Sequence, residues 1–215
     1  MKKILAFLLF FMVALVSAQK NIYEHRKFDE LSKDHRVLAI IPFITNLDLK
    51  ENVDPNELAE LARREGFAVQ NALETYFSKR KKRKKFNVNF QNIEDTNAIL
   101  NQNNINYDNL DIYTTKQLCK ILNVDGIISG NLKLNILLSE GVPTNFSLLD
   151  YFRDANYGRI GIKVSDGETG KLLWKYEKAI DKKTGKNTTE LIDKMMKLAS
   201  RKFPYDKEKK RKNKG

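Results

Sequence analysis

Residues Val37–Phe43, VLAIIPF, limit what this chain can fold into more than any other stretch. Past the first 18 residues it is the only run of seven with no charge and almost no polarity. An apolar run this short, closed by Pro42, reads as a strand buried on both faces. A strand buried on both faces needs helices on both sides of its sheet, so the rest of the chain must supply them.

The sequence downstream does so. Asp54-Pro55-Asn56-Glu57 is a helix start: Asp54 caps, Pro55 suits the first helical position and Glu57 completes a capping box. Leu58, Leu61, Ala62, Val69, Ala72, Leu73 and Tyr76 follow as one apolar stripe, with Gly66 costing about 1 kcal/mol in its middle. Phe86, Val88 and Phe90 alternate as a half-buried strand, and Asp95–Gln102 reads as a short helix. Thr114-Thr115-Lys116-Gln117 is a second capping box, opening a helix that Asn123 ends in the left-handed conformation. Ile127–Leu134 is a further strand. Ile160, Ile162 and Val164 alternate into the turn Asp166–Gly170, and Leu172, Trp174 and Tyr176 alternate back, which is a hairpin. Asn187-Thr188-Thr189-Glu190 starts a last helix, which Pro204 stops. Residues 45–53 and 101–109 read as loops. The expected fold is therefore α/β: a single domain with a mixed β-sheet of about five strands covered by about four helices, in the order β-α-β-α-α-β-β-β-α.

The ends read differently. Lys2 and Lys3, the apolar stretch Ile4–Val16 and Val16-Ser17-Ala18 form a secretory signal peptide, too short to span a bilayer and expected to be cleaved after Ala18. Gln19, rather than Cys, follows, so no lipoprotein anchor is expected at this site, and no later segment is apolar enough to span a membrane. Residues 19–35 form a charged lead-in, 36–204 the α/β domain with an irregular insert at 135–157, and 205–215 a disordered basic tail. Cys119, the single cysteine, can form no disulfide within the chain and reads as a buried small hydrophobe.

The net charge of +12 sits in two places. One is the run Lys79, Arg80, Lys81, Lys82, Arg83, Lys84 and Lys85; the other is the C-terminal segment with Lys209, Lys210, Arg211 and Lys212. The rest of the chain is close to neutral, so these residues are the candidate binders of an anionic lipid or polysaccharide surface. No specific nucleic-acid partner is expected behind a signal peptide.

Tests for catalysis and cofactors fail one after another. Neither GxGxxG nor GxxxxGK[ST] occurs, and the stretch after Phe43 has no glycine to wrap a phosphate. Ser129 lacks the glycine two residues earlier that a nucleophile elbow needs. The only histidines, His25 and His35, fall in the lead-in, which leaves no zinc ligand set in the domain body. Glu140 stands as the one carboxylate suspect for an envelope hydrolase. No catalytic, metal or cofactor-binding residue is expected. The aromatic and apolar residues Phe146, Leu149, Tyr151 and Phe152 of the insert fit neither helix nor strand and are the candidate partner surface.

Taken together, VLAIIPF, the helix after it, NAILNQN, KILNVDGIISGNL and KVSDGETGKLLW resemble a bacterial envelope family. That family includes the N-terminal domain of the Tol-system propeller protein TolB, the lipoprotein activators of penicillin-binding proteins and the curli secretion channel subunit. The resemblance covers Arg36–Pro204 and is most specific at Val124–Gly130 and Asp166–Gly170. It implies a non-enzymatic α/β module of a Gram-negative periplasm that docks envelope proteins. It brings no catalytic residues with it.

Overall fold

The structure is a computed structural model that describes residues 22–49, 53–83, 86–140, 157–180, 187–199 and 203–206. Seven strands and five helices occur among them: β1 (Ile22–Glu24), α1 (Phe28–Leu31), β2 (Val37–Ile40), β3 (Ile44–Leu47), α2 (Pro55–Lys81), β4 (Asn89–Phe90), α3 (Ile93–Gln102), α4 (Thr115–Leu122), β5 (Gly126–Leu134), β6 (Gly158–Asp166), β7 (Leu172–Ile180) and α5 (Thr188–Ala199). Single 3-10 turns occupy Leu110–Ile112 and Leu138–Glu140.

The strands form one mixed sheet in the order β1-β7-β6-β5-β2-β4, with β3 beside β5 next to β2. β2 and β3 run parallel to β5, and β5, β6 and β7 form an antiparallel meander. β2 is buried on both faces, as its composition predicts. Leu38 and Ile40 join the core under α2 and α5, while Ala39 and Ile41 join the core under α3 and α4. All three residues Leu38–Ile40 are 0% exposed. Burying a Leu or Ile side chain contributes about 1.5–3 kcal/mol.

The expected counts of five strands and four helices fall short because two strands pair only at long range and a one-turn helix lies in the lead-in. Ile22–Glu24, expected as lead-in, adds to the far edge of the sheet by pairing with Trp174–Tyr176. Phe28, buried in the first turn of α1, anchors that lead-in to the main core. Ile44–Leu47, expected as loop, is a strand against Asn131–Leu134. Phe86 and Val88 are buried as their alternation predicts, but only Asn89 and Phe90 enter the sheet ladder. At the other end, Tyr205 and Asp206 are buried, so the ordered domain reaches past the tail boundary expected at 205.

The break between β2 and β3 is a bulge. Ile40 pairs with Ile128 and Ile44 with Asn131, so four steps on one strand match three on the other. A bulge strands backbone polar groups, and neighbouring elements supply partners for several of them here. Gln70, fully buried in α2, donates to the Ile40 carbonyl at 2.7 Å. Phe43 N–H donates to the Gly66 carbonyl at 3.3 Å. The Tyr107 hydroxyl accepts from Thr45 N–H at 2.8 Å and lies 3.1 Å from the carbonyls of Phe43 and Ala62, to one of which it donates. Pro42 has no N–H to satisfy. The helix can come this close only because residue 66 is glycine: a Cβ there would sit 2.1 Å from the Phe43 carbonyl oxygen.

The helix ends follow the local signals in part. Asp54 accepts from Asn56 N–H at 2.8 Å and Glu57 N–H at 3.4 Å, the cap half of the box expected there, while Thr114 and Gln117 form a full reciprocal capping box. The helix expected from Asp95 starts two residues earlier, at Ile93, because Asn92 caps it. Asn123 closes α4 at φ 53°.

Candidate functional site

The expected partner surface lies on the connection between β5 and β6. Residues 141–156, and with them Phe146, Leu149, Tyr151 and Phe152, lie outside the described residues. What the structure gives is how the two ends of that connection are held. β5 and β6 pair out to Leu134 and Gly158, and Asn135 N–H donates to the Tyr157 carbonyl at 3.1 Å. Tyr157 N–H then donates to the Ile180 carbonyl at 2.8 Å. On the outgoing side the turn Leu138–Glu140 folds onto α2. Glu65 is fully buried, and its two carboxylate oxygens accept from Ser139 N–H at 3.0 and 3.1 Å and from the Ser139 hydroxyl. A carboxylate is buried at tolerable cost only when hydrogen-bonded in this way. Leu138 is buried in the main core beside it. One position earlier on α2, Arg64 pairs with Glu140 at 2.7 Å, both largely exposed, so that pair adds direction more than stability. Glu140 is thus a partner of Arg64 at the foot of the connection.

The first basic run caps α2. Lys79, Lys81, Lys82 and Arg83 are exposed, at the helix end where the dipole favours cations. Arg80 behaves differently. Its guanidinium lies over the rings of Tyr76 and Phe86, at 5.8 and 5.7 Å, and ion-pairs with the fully buried Asp206. Lys84, Lys85, Lys209, Lys210, Arg211 and Lys212 lie outside the described residues. The seven-residue run is therefore not a uniform set of solvated cations. Its second member is part of the fold.

Sequence reasoning missed His35. It lies in a buried chain of polar groups in which the ring is hydrogen-bonded to the Tyr205 hydroxyl through Nδ1 at 2.6 Å and to Asp166 Oδ1 through Nε2 at 2.8 Å. Asp166 Oδ2 also accepts from Thr169 N–H at 2.7 Å and from the Thr169 hydroxyl. Burial works against ionising Asp166, but the hydrogen bonds from Thr169 and His35 outweigh it and hold the carboxyl below its ordinary range. Burial pushes the Tyr205 phenol well up, and the charges of Asp166 and Asp125 push it further. The His35 and Asp166 side chains are 5% and 3% exposed, so this chain ties the lead-in, the hairpin turn and the C-terminal end together. Asp125 does a parallel job at the start of β2, accepting from the N–H groups of Arg36 at 2.7 Å and Val37 at 2.8 Å. The Asp-Gly pairs at 125–126 and 166–167 mark turns in the sequence but do not announce these partners.

Cys119 is buried in the second core, as read from its helical neighbours. Burial pushes its thiol up to about 12, with Asp166 and Asp125 adding to the effect. The thiolate is the reactive form. At pH 8 the folded protein should therefore resist alkylation by iodoacetamide, while the urea-unfolded chain should be fully labelled. Mass spectrometry over a denaturant series reads this directly, and fast labelling of the folded protein would show an open α4.

An open cleft of about 190 Å³ lies beside Pro42, between Phe67, Leu100, Tyr107 and Leu110. It occupies the carboxyl end of β2, where α/β sheets often hold ligands, but it is smaller than the roughly 300–1,000 Å³ of usual ligand sites. Tyr107, whose phenol burial pushes up, is committed to the bulge rather than to the cleft. Among the described residues no cluster of three His, Cys, Asp or Glu side chains could hold a metal ion, and no helix is long and apolar enough to cross a membrane.

Among solved structures the chain is similar to a lipoprotein from Neisseria meningitidis, with 11% identity over 68% of this chain and 80% of that one, at a TM-score of 0.42. It is similar to the LpoB C-terminal domain from Salmonella enterica, with 10% identity over 72% of this chain and 93% of that one, at a TM-score of 0.36. A third is the PelC dodecamer from Paraburkholderia phytofirmans, with 9% identity over 75% of this chain and 86% of that one, at a TM-score of 0.32. No protein-family model matches the chain, and no curated protein matches it.

Proposed function

We propose that this chain is an exported, non-enzymatic docking module of a bacterial cell envelope, and that residues 141–156 carry its partner-facing side chains. The observation that supports this reading most is the footing of that connection. A fully buried carboxylate, Glu65, is spent on holding the turn at Ser139. Arg64 holds Glu140 beside it, and Tyr157 is bonded to β7 on the return. Both ends of the connection are thus anchored on rigid elements, which is how binding loops are commonly supported. Phe146, Leu149, Tyr151 and Phe152 are the side chains within it proposed to meet the partner.

A photo-crosslinker placed at Leu149 in the intact envelope should give a discrete adduct with an envelope protein. Changing Phe146, Tyr151 and Phe152 together to Ser should remove that adduct while the melting temperature stays within about 2 °C, as surface substitutions leave it. An unchanged adduct in the triple variant would place the docking surface elsewhere.

A second reading is favoured by a separate observation. Lys79, Lys81, Lys82 and Arg83 are exposed together at one end of α2. On this reading the same module also rests on an anionic envelope surface.

A further inference from the structure

The two faces of the β5-β6-β7 meander differ. Ile160, Ile162 and Val164 of β6 and Trp174, Tyr176 and Ile180 of β7 turn into the main core. The alternate positions point to the other face, where α3 and α4 pack on Ala39, Ile41 and Ile127. Among the described residues no member of β6 or β7 joins that second core. On β5 its buried residues stop at Ile127, and Asn131, Lys133, Arg159 and Ala179 beyond it are exposed.

The register sets out what this open face carries. Ser129, Lys163, Lys175 and Tyr23 lie abreast across four strands. The next row is Ile44, Asn131, Gly161 and Glu177, and the one after it is Asn46, Lys133, Arg159 and Ala179. Lys163 thus stands directly opposite Lys175, and Lys133 opposite Arg159, with Cβ atoms about 4.5–5.5 Å apart. Like charges opposite each other on neighbouring strands destabilise a sheet, and two such pairs share this face. Glu177 relieves Lys175, at 2.7 Å. Among the described residues the side chains of Lys133, Arg159 and Lys163 have no ion-pair or hydrogen-bond partner.

Between the two cation pairs the floor is low. Gly161 has no side chain, and the Asn131 amide reaches over it: a Cβ at 161 would lie 3.0 Å from Asn131 Oδ1. Strand positions four residues apart are separated by about 13 Å, so the cation pairs stand about that far apart with this amide between them. Beside Asn131 and Lys133 the face runs into an open hollow of about 420 Å³, lined also by Ile44, Asn46 and Asp48.

We propose that this sheet face binds an acidic polysaccharide, with sugar carboxylates at the Lys163–Lys175 and Lys133–Arg159 pairs and the hydroxyls between them on Asn131. An anion placed between two like cations offsets the repulsion that the register imposes. An amide supplies both a donor and an acceptor, which is what a sugar hydroxyl requires. A protein partner fits less well, because interface centres are depleted of charge and enriched in aromatic rings, and the one ring in the three rows is Tyr23, at the margin. Stacked bases would need rings on the floor, where Gly161 stands. A bilayer responds to charge density and would make no use of the recessed amide. The site depends on neither of the proposals made above.

The test titrates the full chain with oligomers of polygalacturonate, a chain of sugar carboxylates, by calorimetry at low salt. Two variants are compared with wild type: Lys133→Gln, Arg159→Gln and Lys163→Gln together, and Asn131→Ala. The triple variant should bind at least about tenfold more weakly, and Asn131→Ala, which changes no charge, at least about threefold. Changing Lys79, Lys81, Lys82 and Arg83 to Gln should leave binding within about twofold. Added salt should weaken wild-type binding steeply. The melting temperature of the triple variant, followed by Trp174 fluorescence, should equal or exceed that of wild type, because repulsion between strands is removed. A lower value would show that the three cations are paired within the fold and would overturn the proposal. So would wild-type affinity in the triple variant, or no binding of polygalacturonate at all. Equal affinity for polyglutamate, phosphatidylglycerol vesicles or oligothymidylate, lost in the triple variant, would overturn the choice of a sugar chain.

Discussion

Gly66→Ala is expected to lower the melting temperature by about 6–12 °C, the opposite of what helix propensity predicts. In an exposed helix interior, replacing Gly by Ala stabilises by about 1 kcal/mol. At position 66 the new methyl group would lie 2.1 Å from the Phe43 carbonyl oxygen and 2.8 Å from a ring carbon of Tyr107. Neither can move cheaply. The Phe43 carbonyl belongs to the bulge between β2 and β3, and Tyr107 holds that bulge through Thr45 N–H. Overpacking of this kind costs about 3 kcal/mol, which for a domain of this size is the stated loss in melting temperature. Trp174 is the only tryptophan and is 0% exposed, so its fluorescence reports the transition. A rise in melting temperature would mean that the strand and α2 are not in contact at the bulge. Gly130 gives a second view of the same crowding, because a Cβ there would lie 2.2 Å from the Phe43 ring.

Asp166→Ala is expected to destabilise the fold by about 3 kcal/mol, and Asp166→Asn by less. The alanine leaves the buried His35 ring nitrogen without its acceptor and also removes the carboxylate that Thr169 N–H and its hydroxyl bond, and an unpaired buried group costs about 1–3 kcal/mol, at the upper end when its lost partner is charged. It also frees one anchor of the C-terminal end, since His35 bonds Tyr205 on its other side. The wild-type carboxyl adds a pH dependence with a definite sign. Its folded pKa is held below the ordinary value of 3.8, so the unfolded chain binds the proton more readily. The resulting stabilisation is fully present above about pH 4 and is lost as the pH falls further through the folded pKa. Urea titrations should therefore show the gap between wild type and Asp166→Asn constant near neutrality and shrinking below about pH 4. A gap that instead widened in acid would show that the carboxyl is not ionised in the folded state.

The legible part of the fold was the part carried by local rules. Leu38–Ile41 alternates between two cores because strand side chains point to opposite faces, and an all-apolar strand can only sit between two layers. The caps at Asp54 and Thr114 follow from helix ends that must satisfy their first N–H groups. The hairpin of β6 and β7 follows from alternation around a glycine-containing turn. The candidate site was legible only in its ingredients. The basic run on α2 could be counted from the sequence, but nothing near Arg80 told it apart from Lys79 or Lys81. Its partner Asp206 lies in a stretch that otherwise reads as tail.

By itself, then, the sequence determined an α/β domain with Val37–Ile40 as a strand buried on both faces, flanked by helices with well-marked ends. These features depend on periods of two and 3.6 residues and on caps within four positions, all of which are written in adjacent residues. The tertiary structure alone decided the rest: Ile44–Leu47 as a strand rather than a loop, Ile22–Glu24 as an edge, His35 as the link between Tyr205 and Asp166, and Arg80 as the clasp of the C-terminal end. Each of these is one half of a pair whose other half lies dozens to more than a hundred residues away. A short polar or mixed segment carries no period that names such a partner. Only folding, which brings the two halves into one low-dielectric interior, makes the pairing favourable.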